Sequence, residues 1–157
     1  MNSLELTKQH NRLIALFNKT SAVTGGDLEV QAHWAKYLCV LSAGFLENAL
    51  CEIYSRYCAS CSSPKVAKFT SKALARVQNP KTKTFLEITA YFSDQWHSQL
   101  EAFVEDDGRK DAINSIMSNR HLIAHGKDTN ISLTRVRDYL QKSVIVVEFI
   151  EQQCGVN

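Results

Sequence analysis

Three nearby side chains carry the strongest chemical signal in this sequence: Arg120, His121 and His125, followed at once by Gly126. At about 100° per residue, Ile113, Ile116, Met117 and Ala124 share one apolar helical stripe, and Arg120 falls in its middle. An unpaired guanidinium is costly to bury, so an anion must meet Arg120. That anion is either an acidic side chain such as Glu47 or Glu52, or a ligand. His121 and His125 lie one turn apart, within reach of a common group. His125 also occupies the last turn before Gly126, where the helix dipole favours imidazolium. A guanidinium fork grips an oxyanion and an imidazole moves protons near neutral pH, so the set suits acid–base work on a phosphate.

Other chemistries find less support. His121 and His125 form HxxxH without the central Glu of a metalloprotease helix, and no third ligand lies nearby in the sequence. Neither a nucleophile elbow nor a GxxxxGK[ST] phosphate loop occurs. No metal and no cofactor is expected. The five cysteines include one CxxC, Cys58-Ala-Ser-Cys61, with no second pair to complete a zinc site. They are expected to be reduced thiols, in keeping with a cytoplasmic protein that has no signal peptide and no membrane span.

The elements that must position these residues read as helices. The chain has 157 residues, 45% apolar and 22% charged, with only six Gly and two Pro. That composition fits one domain over residues 1–157 and argues against a many-turned β architecture. A first helix is expected from Ser3 to about Asn18, bearing Leu6, Leu13, Ile14 and Phe17. Gly25-Gly26 breaks the chain, and Asp27 caps a long second helix to about Tyr57. Ser63-Pro64 opens a third to about Val77, stopped before Asn79-Pro80. A fourth should run from Thr84 to Val104, and a fifth from Asp106-Asp107 to Gly126. Ser132 caps the last, which reaches about Gln153. Short connections predict an all-α, single-domain antiparallel bundle of five to six helices.

Charge is unevenly spread. The net charge is only +2, yet no acidic residue lies between Glu52 and Glu87, where seven Lys and Arg occur. Lys65, Lys68, Lys72 and Arg76 share one face of the third helix, leaving Val66, Phe69, Ala73 and Val77 for the core side. Such a block points to a polyanionic partner, with an RNA-backbone track as the sharp reading and a solvated face as the plain one.

Arg120-His121-Leu122-Ile123-Ala124-His125-Gly126 resembles the R-polar-x-x-x-H motif of the HEPN superfamily. It sits near the end of the penultimate helix, as in that superfamily, ahead of a polar turn and a final amphipathic helix. Leu46 to Tyr54 looks like the acidic helix of the RiboL-PSP-like HEPN branch, which implies supporting roles for Glu47 and Asn48. The resemblance implies a helical bundle that dimerises and a metal-independent endoribonuclease of toxin–antitoxin or antiviral systems. It admits an antitoxin or defence-system protein as a further partner. Members paired with a nucleotidyltransferase antitoxin carry Tyr two residues after the motif His, where this chain has Lys127.

The residues agree with that implication. RNA brings its own nucleophile, the 2′-hydroxyl, so cleavage needs only proton transfer and charge stabilisation. His125 is the candidate acid or base, Arg120 the phosphate grip and His121 an orienting group. Arg120 and His125 point about 140° apart on one ideal helix, so two copies facing each other in a homodimer make the better site. Products would carry 2′,3′-cyclic phosphate and 5′-hydroxyl ends. Two other readings stay open: a non-catalytic RNA- or nucleotide-binding module, and a helical protein-interaction subunit.

Overall fold

The computed structural model describes Met1 and residues 3–155. Its described residues form eight α-helical segments and one 3₁₀ turn, with no strand. In order they are α1 (Leu4–Asn18), α2 (Thr20–Thr24), α3 (Leu28–Cys61), α4 (Pro64–Leu74), α5 (Thr82–Phe92), α6 (Asp94–Glu105), α7 (Arg109–Ala124) and α8 (Leu133–Cys154). The all-α expectation holds, with more segments than the five to six expected. No helix among the described residues is long and apolar enough to cross a membrane.

The axis of the molecule is α3, whose 34 residues extend roughly 50 Å. Asp27 starts it by accepting from the amides of Glu29 and Val30 at 2.8 and 3.0 Å. Its middle is buried on several sides, through Leu38, Phe45, Leu46, Leu50, Ile53 and Tyr54, because α1, α4, α7 and α8 all pack on it. One core joins these helices to Phe85 and Ile88 of α5 and to Leu100 and Val104 of α6. The first turns of α3 have less cover: Val30 and Tyr37, expected on the apolar side, are exposed.

Several boundaries differ from the sequence expectation: α2 is an added short helix, and α3 runs to Cys61 rather than about Tyr57. The fourth predicted helix is two, broken at Ser93, whose backbone is extended (φ −165°, ψ 124°) and whose hydroxyl accepts from the Trp96 amide. Apolar periodicity runs through the break, whereas the stop is written in a Ser-Asp cap. Asp106 and Asp107 precede α7 rather than opening it. They lie in a 3₁₀ turn with Asp107 at φ 52° and Gly108 at φ 67°, which leaves Asp111 as the first-turn acid. The third predicted helix, α4, stops at Leu74 rather than Val77, and Asn79 turns the chain before Pro80 at φ 51°.

The face of α4 also departs from expectation. Leu74 is buried, with Ala67, Thr70 and Ser71 half-buried toward the body. Val66, Phe69 and Ala73, expected on the core side, are exposed. The packing face centres on Leu74 and Ala67, well round the helix from Phe69.

Candidate functional site

Helix α7 lies between α3 and α8 and is anchored by Ile113, Ile116 and Met117, none of which has any exposed surface. The Cys39 thiol of α3 donates to the carbonyl of Ile116 at 3.6 Å. Burial pushes that thiol up to about 12, so it stays a neutral packing group. One turn further on, cover ends. Arg120 is half-buried, while His121, Ala124 and His125 are exposed. Ala124 therefore does not continue the apolar stripe, because α7 runs out from under its neighbours in its last turn.

The end of α7 is locally over-determined. The Gly126 amide donates to the carbonyl of Ile123 at 3.1 Å and the Lys127 amide to that of Leu122 at 2.9 Å. With Gly126 at φ 65°, this pairing is a Schellman closure, which fixes His125 as the last residue before the turn. The rings of His121 and His125 meet edge to face with centroids 4.4 Å apart. The two imidazoles and the Arg120 side chain thus arise from one closed turn, as their spacing predicts.

The polar segment after the turn is tied back to the helices at two points. Asn119 accepts a hydrogen bond from the Thr129 hydroxyl and donates to the carbonyl of Ser115 at 2.8 Å. Lys36 of α3 lies 3.8 Å from Asp128. Sequence reasoning did not single out Asn119, Thr129 or Lys36. The only signal was the polar run Lys127 to Asn130, which reads as an ordinary loop.

Arg120 has no acidic partner among the described residues. Glu47 accepts from the backbone amide of Asn79, and Glu52 from the Ser3 hydroxyl at 3.2 Å. Glu47 and Asn48 lie more than two turns along α3 from Cys39, which itself packs beside Ile116. Asn48 donates to Gln9 of α1 at 3.3 Å. These two residues face other neighbours, so Glu47 is not the anion expected beside Arg120, and the supporting roles of Glu47 and Asn48 rest on the resemblance alone.

Lys65, Lys68, Lys72 and Arg76 are all exposed and occupy a separate surface. Arg76 lies just past the end of α4. Among the described residues none of the four forms an ion pair.

The described residues contain no group of three or more His, Cys, Asp or Glu positioned to hold a metal ion. All five cysteines are free thiols. No curated protein and no solved structure matches the chain. A family pattern does match, over residues 4–155, from the first helix through the last and across the closed turn of α7: the chain belongs to the RiboL-PSP-HEPN family.

Proposed function

We propose that this protein is a metal-independent endoribonuclease acting at the C-terminal turn of α7, with Arg120 and His125 as catalytic residues and His121 as an orienting group. The observation that carries the reading is Arg120 itself. It is a half-buried residue with no acidic partner among the described residues, next to His121 and five residues before His125, both exposed. A phosphodiester supplies the missing anion, and membership of a HEPN family supports an RNA-related role. The RNA 2′-hydroxyl attacks the adjacent phosphorus while one imidazole takes its proton. The bond to the 5′-oxygen breaks, and a second imidazole protonates the departing oxygen. The products are a 2′,3′-cyclic phosphate and a 5′-hydroxyl. Two copies of His125 facing each other in a homodimer supply both proton-transfer groups. A toxin or defence effector in the cytoplasm, working with a cognate regulator, is the setting that fits.

Purified protein incubated with total RNA in EDTA should cut it and leave those ends. An intact substrate under those conditions, from folded protein, overturns the reading. A second reading, a module that holds RNA without cutting it, is favoured by one observation: the exposed cations of α4 are separate from Arg120. Salt-dependent RNA retention without cleavage is the result that would select it.

A further inference from the structure

The face of α4 that meets solvent is not purely cationic. Phe69 is 75% exposed and sits among Lys65, Lys68, Lys72 and Arg76, which with Phe69 and Ala73 line a shallow groove of about 380 Å³. On the helix, Phe69 points within about 40° of Lys65 and about 60° of Lys72, so ring and ammonium groups present together. Leu74 and Ala67 already pack α4 onto the body, so nothing in the fold requires a large aromatic on the outer face. The ring stands in a stretch of 34 residues that contains no acid at all.

From this placement we infer that α4 is a binding site for single-stranded RNA, with Phe69 as a stacking platform for an unpaired base and the four cations as contacts to the flanking phosphates. The inference rests on the RNA reading above and adds to it a binding surface and its base-stacking residue. A duplex hides the faces of its bases inside the stack, whereas a single strand offers them to an aromatic ring. A membrane is the other polyanionic surface that a basic helix meets. Helices that lie in a bilayer interface segregate a broad apolar face from their charges. In α4 the inward apolar face is already buried, and the outward one is only a narrow strip of Val66, Phe69 and Ala73, with Phe69 flanked by Lys65 and Lys72.

The test uses fluorescence anisotropy with a 12-nucleotide oligouridine, the same length of RNA duplex, and phosphatidylserine–phosphatidylcholine vesicles. Binding is measured in a His125→Ala background, so that the probes stay intact. Phe69→Ala should weaken oligouridine binding about 5- to 100-fold, the range for losing one stacked base, with its salt dependence unchanged. Duplex binding should change less than about twofold, and Phe69→Trp should restore the single-strand affinity. Because the ring is exposed, both variants should keep the parent helical circular dichroism. Equal losses for duplex and single strand, or no loss for either, overturn the inference. Vesicle binding that depends on Phe69 while oligouridine binding does not would assign the face to a membrane instead. The outcome is independent of cleavage: an inactive wild type that still binds oligouridine through Phe69 removes the nuclease reading and keeps this one.

Discussion

The protein carries two cationic surfaces, and they are built on opposite principles. At the end of α7 one guanidinium and two imidazoles are held by a closed turn, an anchored loop and a helix whose inner face, through Ile113, Ile116 and Met117, is fully buried. On α4 four long side chains extend into solvent with no ion-pair partner among the described residues. The first arrangement fixes direction, as bond making and breaking demand. The second supplies charge with freedom, as a strand that must be held in many sequences demands. The difference teaches how to tell a reacting site from a holding one: by what restrains the charge, and not by how much charge there is.

The sharpest break in this comparison comes from the α7 turn. His125→Ala should lower RNA cleavage about 10²- to 10⁴-fold, and Arg120→Ala about 10²- to 10³-fold, with helical content retained. His121→Ala should cost about tenfold or less. Single-turnover assays check all three, and a folded His125→Ala protein that still cleaves ends the proposed role. Mixing Arg120→Ala with His125→Ala protomers then separates two dimer designs. Activity returns if each site takes Arg120 from one copy and His125 from the other, and stays lost if both copies are needed intact.

Changing Lys65, Lys68, Lys72 and Arg76 together to Gln should flatten the log–log salt dependence of single-strand binding by up to about 3 units, at about 0.7 per phosphate contact. Cleavage at saturating RNA should change little. An unchanged slope would return α4 to a solvated face. A smaller effect tests rigidity directly. Gly126→Ala meets no neighbour within 4 Å, so its cost is the left-handed backbone alone, about 1 kcal/mol and a fall of roughly 2–4 °C in Tm. Cleavage should fall several-fold while α4-dependent binding is unaffected, and Gly126→Asn should restore most of both losses.

The least intrusive probe is chemical. Burial holds the thiols of Cys39 and Cys154 at about 12, whereas Cys61 is exposed at the end of α3. A raised pKa keeps a thiol in its unreactive protonated form, so at pH 8 iodoacetamide should take Cys61 well before either of them. That single alkylation should leave cleavage unchanged. Early labelling of Cys39, followed by mass spectrometry, would show that the α3–α7 packing behind Arg120 opens easily.

Much of this was legible in the residues. Caps at Asp27, Ser63 and Ser132 follow from side chains that bond their own backbone, and the stop at Gly126 from a residue free to take the left-handed conformation, local rules that need no tertiary knowledge. The Ser93 break was legible too, but apolar periodicity outweighed it. Which face of α4 packs was not, because a stripe of Val66, Phe69 and Ala73 competes with one centred on Leu74, and only the position of α3 decides between them. The neighbours of Phe69 gave a hint: lysines four before and three after place it on their own face. The Asn119–Thr129 tie could not be read, since nothing in one dimension brings residues across a turn into register.

Helix α4 folds back along α3 through the short link Ser62-Ser63, and the amide of Asn79 reaches Glu47. This hairpin arranges the cations like marks on a gauge. Lys65 stands near the Ser62-Ser63 link and Arg76 near the Asn79–Glu47 contact, so the row of cations runs from the C-terminal end of α3 back toward its middle. From Lys65 to Arg76 the row covers about 16 Å at about 1.5 Å per residue, the length of about five stacked nucleotides. Shortening an oligonucleotide below about five residues should therefore remove cation contacts one at a time, read as a stepwise fall in the salt slope.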